Sequence, residues 1–297
     1  MKWRVALLMT SVMWQGAVAS EEVASSPTLT HIASTGEVAI GHRTSEVPFS
    51  YLVNDQPKGY AIDLCLNVIE GLEKTLSLGD LKVTYVPVTP ANRFILVRNG
   101  EVDIECGVTT NTPERRRQVA FSYPHFLTAT RYVSLAEQHM DSLQDLAGRS
   151  VVSTTGTINV AQLNELNRTA GLNISVMLSR NHEEAFEMVA SEQASAFVMD
   201  DILLAGLVSS ASDPADFHIS QATLSSAEPY GLMMPPGDPV FVELVNKELR
   251  NIYQSDTIHA LYEKWFLQPL PPDNRVLNLS LAPALAAIFA NPEQYTE

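Results

Sequence analysis

Cys106-Gly107-Val108-Thr109-Thr110-Asn111-Thr112-Pro113-Glu114-Arg115 is the stretch on which the fold turns. It follows Val102-Asp103-Ile104-Glu105, a short run that reads as a strand. The chain then turns through Gly107, offers the hydroxyls of Thr109, Thr110 and Thr112, and enters a helix at Pro113. Proline is well tolerated there, because the first turn of a helix leaves its N–H groups unpaired in any case. A strand end, free hydroxyls, unpaired N–H groups and Arg115 together make a socket for a carboxylate. The same residues also suit an ordinary capped strand-to-helix turn, so the neighbouring segments have to decide.

Upstream, Glu37 to Arg43 reads as a strand leading to a turn with Pro48 and Phe49. Ala61 to Leu72 repeats apolar residues at helical spacing, and Lys82 to Val86 alternates as a strand. Asn92 to Val97 is a short helix stopped by Asn99-Gly100, and Val119 to Ser122 is a further strand. Strands separated by helices predict an α/β fold with a mostly parallel sheet. A long strand, Thr128 to Val133, leaves this unit for a second α/β run. That run holds a short helix at Ser142–Gly148, a strand at Ser150–Ser153 opening onto Thr154-Thr155-Gly156-Thr157, and a helix to about Thr169. A strand at Ile174–Met177, a helix at His182–Ala190 and a buried strand at Ala194–Met199 ending in Asp200-Asp201 complete it. Tyr230–Met234 returns the chain to the first unit, followed by helices at Pro239–Gln254 and Asp256–Phe266. Pro269-Leu270-Pro271-Pro272 ends the last helix, and the rest reads as a weakly packed tail. The expected layout is residues 20–129 plus 229–297 as lobe 1, with the tail from about 273, and residues 130–228 inserted as lobe 2. Two crossings make a hinge, and ligands of open α/β sheets sit beyond the carboxyl ends of the strands. The site is therefore expected between the lobes.

Composition narrows the function classes. The chain has 297 residues, 45% hydrophobic and 18% charged, with mean hydropathy near zero, the profile of a globular protein with room for two domains. Residues 1–19 read as a secretory leader: Met1-Lys2-Trp3-Arg4 is the positive end, Val5 to Trp14 the apolar run, and Ala17-Val18-Ala19 the cleavage site. No cysteine follows the cut, which argues against a lipid anchor. The exported chain would carry 17 basic and 34 acidic residues, a net charge of −17, which disfavours nucleic acid and anionic membranes as partners. Cys65 and Cys106 are too few for a metal site. They are either a disulfide, closing a loop of about 40 residues and adding about 4 kcal/mol, or two buried thiols.

At strand ends and the turns after them stand Arg43, Arg93, Thr110 and Arg115 from the first unit, and Thr154, Thr157, His182 and Asp200 from the second. Such a set suits a zwitterion with an extra carboxylate. Arg115 and Thr110 would clamp the α-carboxylate, Asp200 the α-ammonium, and Arg43, Arg93 and His182 the side-chain carboxylate. Each residue also has a plainer role. The arginines suit surface ion pairs, His182 and Asp200 helix caps, and the threonines loop hydroxyls. No Ser-His-Asp order, metal-ligand spacing or phosphate loop is present, so no catalytic residue, metal or cofactor is expected.

Three stretches carry a resemblance: Gly41-His42-Arg43 with Val47-Pro48-Phe49-Ser50-Tyr51; Glu105-Cys106-Gly107 with Thr109-Thr110-Asn111 and Glu114-Arg115; and Phe197-Val198-Met199-Asp200-Asp201 with Leu203-Leu204-Ala205-Gly206. With the closing Glu263-Lys264-Trp265-Phe266, the sequence resembles the periplasmic solute-binding proteins of ABC importers for polar amino acids, in their glutamate/aspartate-binding branch, over about Ser34 to Pro272. The resemblance implies the two-lobed, type II periplasmic-binding-protein fold, closure over one acidic amino acid, delivery to an inner-membrane ABC permease, a periplasmic location and a monomer. Carried over by position, it places Arg115, Thr110, Thr154, Thr157 and Asp200 around the α-carboxylate and α-ammonium, and Arg43, Arg93 and His182 around the distal carboxylate. The chain departs from the pattern at Val108 and Pro90, where the branch resembles serine. A few relatives resemble periplasmic dehydratases acting on prephenate-like substrates, and a ligand sensor on this fold would look the same; both stand as alternatives.

Overall fold

The structure, a computed structural model, describes residues 23–295. The leader expected at residues 1–19 lies outside the described residues. In chain order the first strands are β1 (Glu37–His42), β2 (Ser45–Glu46), β3 (Ser50–Val53), β4 (Gln56–Lys58), β5 (Lys82–Pro87), β6 (Ile104–Glu105) and β7 (Ala120–Thr128). They are followed by β8 (Thr130–Leu135), β9 (Ser150–Thr154), β10 (Ser175–Ser179), β11 (Ala196–Asp200), β12 (Phe217–Ile219) and β13 (Glu228–Met234). Two five-stranded sheets result, ordered β5-β1-β6-β13-β7 and β10-β9-β11-β8-β12, with a small β2-β3-β4 sheet beside the first.

Each large sheet is mixed, three adjacent strands running parallel and the rest pairing antiparallel. In the first, β1 runs parallel to β5 and β6, while the returning β13 is antiparallel to β6 and β7. In the second, β9 runs parallel to β10 and β11, and β8 is antiparallel to β11 and β12. The chain is thus an α/β protein of two lobes. The segment expected as one long strand breaks at Ala129, between β7 and β8. Asp201 explains the break: its Oδ1 accepts from Thr128 Oγ1 at 2.7 Å and from the Ala129 N–H at 3.3 Å. The second crossing enters at Glu228, whose carboxylate accepts from Gln162 Nε2 at 2.9 and 3.0 Å.

The helices cover the sheets through the faces their spacing predicts. Tyr60–Leu76 buries Ile62, Cys65, Ile69, Leu72 and Leu76, recurring at three and four residues. Its Asp63 accepts from Trp265 Nε1 at 2.8 Å and Lys264 Nζ at 2.6 Å, tying on the end of the domain. Cys65, on that helix, and Cys106, just past β6, form a disulfide. The choice left open above is therefore settled for the pair, and the bond joins the strand that feeds the Thr110 turn to the helix behind it.

Two further segments differ from expectation. A helix at Pro27–Thr35 precedes β1; Ser26 caps it, its Oγ accepting from the Leu29 N–H at 3.1 Å. Ser26 Oγ in turn donates to Asp238 at 2.7 Å, the residue that caps Pro239–Tyr253. The tail is not weakly packed: Pro283–Ala290 is a helix that buries Leu285, Ile288 and Phe289. Those residues sit at spacing three and four, and Phe289 meets the Tyr253 ring at 4.8 Å between centroids.

Candidate functional site

The carboxyl ends of β1, β6, β9 and β11 converge on one cavity between the lobes. Its walls are Arg43, Pro90, Arg93, Val108, Thr110, Arg115, Thr157, Ile158, Asn159, His182, Met199, Asp200 and Leu203. Seven of the eight residues singled out from sequence line it; Thr154 does not. The lobes meet closely around it. Gly156, with φ +84°, lies so near the Pro90 backbone that a Cβ there would come within 2.7 Å of it, so only glycine permits this approach.

Arg115 owes its place to the turn predicted from sequence. Thr112 caps the Pro113–Arg116 turn, its Oγ1 accepting from the Arg115 N–H at 3.2 Å. The guanidinium then folds back: Nη1 donates to the Thr110 carbonyl at 3.0 Å and the group lies 5.3 Å from the Phe94 ring centre. Thr110 itself bridges to Tyr230 of β13.

Asp200 ends β11 and precedes the helix Asp201–Ser210, yet its side chain makes no capping bond. It accepts instead from Asn159 Nδ2 at 2.7 Å and from the Tyr230 hydroxyl. Burial pushes its carboxyl up to about 6, opposed by those two donors. The neighbouring acids have thus divided the work: Asp200 faces the cavity and Asp201 holds the hinge.

The other end of the cavity is cationic and underpaired. Arg93 opens the helix Arg93–Arg98 and is 3% exposed. Its Nε has no hydrogen-bond partner, and among the described residues it has no ion-pair partner. Burial, then the nearby Arg115, pushes it down to about 9. Arg43 is 4% exposed; its Nη2 pairs with Glu46, but Nη1 has no hydrogen-bond partner. His182 is the first residue of the helix His182–Ala190. Its Nδ1 lies 2.8 Å from Thr154 Oγ1, and Ser179 Oγ donates to that same oxygen at 3.2 Å. Thr154 therefore orients the imidazole from behind, while Thr157 donates to the Thr154 carbonyl at 2.7 Å. Burial, then Arg43 and Arg93, holds His182 well below the usual histidine range, so the ring is neutral at pH 7.

Sequence reasoning missed Glu46, Glu105, Asn159 and Tyr230. Glu105 is fully buried; Thr109 Oγ1 donates to its Oε2 at 2.7 Å. It lies directly under Gly107, where a Cβ would fall 2.2 Å from Glu105 Oε1. The glycine in the decisive stretch thus makes room for a counter-charge to Arg93 and Arg115. Val108 and Pro90, the two departures noted above, both stand in the cavity wall.

Residues 38–268 match the bacterial extracellular solute-binding proteins, family 3. The chain is 40% identical over 267 residues to the L-glutamate/L-aspartate-binding protein of Pseudomonas aeruginosa, covering 89% of this chain and 88% of that one. It is 36% identical over 270 residues to the glutamate/aspartate import solute-binding protein of Escherichia coli, covering 91% and 89%. Among solved structures, an ancestral arginine-binding protein bound to arginine superposes with a TM-score of 0.70 at 26% identity, over 78% of this chain and 98% of that one. These relatives are binding proteins rather than enzymes, which disfavours the dehydratase alternative. With its family match running from β1 through the helical segments that follow β13, the chain belongs to the bacterial extracellular solute-binding proteins of family 3.

Proposed function

We propose that this chain is the periplasmic, monomeric binding component of an ABC importer, exported behind a cleaved leader, that closes on an acidic L-amino acid and presents it to the permease. We place the lobe boundaries at 129/130 and 228/229. Arg115 with Thr110 takes the α-carboxylate, Asp200 the α-ammonium, and Arg43, Arg93 and His182 the side-chain carboxylate, with Thr154 and Thr157 shaping the second-lobe wall.

One observation carries the choice of ligand: Arg43 Nη1 and Arg93 Nε are buried at the cavity with no hydrogen-bond partner. Buried cationic donors left unpaired are costly, and an anionic side chain at that end supplies what they lack. The names of the relatives from Pseudomonas aeruginosa and Escherichia coli point to the same ligands. Without ligand these charges favour the open, hydrated cleft; with it they favour closure, as a population shift requires.

A thermal-shift panel tests this. Saturating L-glutamate and L-aspartate should raise the melting temperature, since a ligand at about 100 times its Kd stabilises by about 2.7 kcal/mol. L-lysine should not. A panel in which only neutral or basic amino acids shift the melt would remove the assignment of the cationic end.

Asp200 gives a pH signature. Its carboxyl, raised to about 6, must be ionised to hold an ammonium. As the pH falls below 6 the acid protonates and ligand binding requires losing that proton, so affinity should drop by about tenfold per unit. Above 6 this contribution is flat. Titration calorimetry between pH 4.5 and 7 checks it, and Asp200→Asn should bind weakly with no such acid limb.

A further inference from the structure

Glu46 is an acid at the cationic end of an otherwise anion-seeking cavity. It is 2% exposed and sits in the short β2–β3 hairpin beside β1. Its Oε1 lies between Arg43 Nη2 and His182 Nε2, the latter at 3.4 Å, so it touches a residue from each lobe and both of these line the cavity. That oxygen has no well-directed hydrogen bond; Oε2 accepts only from the Ser45 N–H at 3.3 Å. The charges facing Glu46 are Arg43 and Arg93 from the first lobe, with His182 and Glu183 from the second. His182 is neutral, Glu183 is an exposed negative charge, and Arg93 is shared with the buried Glu105, so Arg43 is the one cation paired with the acid.

An acidic ligand changes that balance. Its side-chain carboxylate would sit on Arg43, Arg93 and His182, the groups Glu46 already uses. Two carboxylates sharing one buried site cannot both stay ionised without strong repulsion, and one of them takes a proton. We infer that Glu46 sets the charge of the ligand tail in this cavity: a dicarboxylic amino acid binds together with one proton from solvent, which settles on Glu46 and leaves with the ligand. Protonated, Glu46 donates to a ligand oxygen and frees Arg43 for the ligand. An uncharged side chain needs no such proton. The inference rests on the acidic-ligand reading above. Burial already holds Glu46 above the usual carboxylate range, with Arg43 opposing, which favours the uptake.

The consequence is a maximum in affinity. Asp200 produces the acid limb described above, and Glu46 produces an alkaline one, with acidic-ligand affinity falling by about tenfold per unit once Glu46 is ionised in the empty protein and must take up a proton on binding. Titrate the full exported chain with L-glutamate at pH 7.5 in buffers of different ionisation enthalpy, which counts protons directly. Close to one proton taken up per ligand is expected. In Glu46→Gln the uptake should vanish and the alkaline limb should flatten between pH 7 and 8.5. Binding of L-glutamate by the wild type without proton uptake overturns the inference and leaves the acidic-ligand reading standing. Uptake that persists in Glu46→Gln also overturns it. If neither L-glutamate nor L-aspartate binds the wild type, the reading beneath it has failed instead. The wild-type proton count stands alone should the variant fold poorly.

Discussion

Arg115→Ala is expected to abolish binding of every amino acid, acidic or not. The α-carboxylate is common to all of them, and Arg115 is the cation placed where the capped turn after β6 brings N–H groups and hydroxyls to the cavity. A guanidinium can give such a carboxylate two charge-assisted hydrogen bonds. At roughly 1.5–3 kcal/mol each, their loss amounts to about 3–6 kcal/mol, or roughly a hundredfold to ten-thousandfold in Kd. The fold should survive. Arg115 bonds one carbonyl, that of Thr110, and rests on Phe94, so no buried carboxylate loses its only partner. Titration calorimetry beside a melting curve separates the two effects. Unchanged affinity for any amino acid would take Arg115 out of its role.

Arg93→Gln should cut affinity for L-glutamate and L-aspartate by about a hundredfold while leaving the melting temperature of the ligand-free protein equal or higher. This combination follows from the charge's isolation. Arg93 is buried, pushed down to about 9 by burial and by Arg115, and without an ion-pair partner among the described residues. A side chain that helped only the fold would lower the melt when shortened. One held in place for a ligand carboxylate costs the empty protein and repays nothing until the ligand arrives. The amide keeps a donor at the site without the charge. Arg43 is a poorer probe, because removing it strands the buried Glu46 carboxylate. A variant that melts lower and binds acidic ligands as before would contradict the account.

How far the sequence leads is clear from particular residues. The turn at Cys106–Arg115 was legible because its signals are local: a strand end, a threonine cap and a proline at the helix start, all within ten residues. The α/β alternation and the returning strand at 230–234 were legible for a similar reason, since each element carries its own period. Glu46 was not. At i+3 from Arg43 it looks like half of an exposed ion pair, and only the tertiary fold buries both and brings His182 across from the other lobe. Tyr230 was read as a strand residue; its hydroxyl reaches Asp200 only because β13 returns beside the hinge. Thr154, at a strand end like the cavity residues, instead lies behind His182, because order within a sheet is not written in local pattern. The tail's helix is hard to see in the sequence because Pro269–Pro272 breaks the preceding one and only Leu285, Ile288 and Phe289 mark its buried face.

Ligand choice rests on the pairing of underpaired arginines at one end of the cavity with a carboxylate at the other. L-glutamate and L-glutamine have nearly the same shape and differ in the charge of the tail, so their affinities read that pairing directly. At pH 6.5 titration calorimetry should find L-glutamate tighter than L-glutamine by at least about tenfold, the difference of one charge-assisted over one neutral hydrogen bond. L-glutamine binding as tightly as L-glutamate, or more tightly, would contradict it.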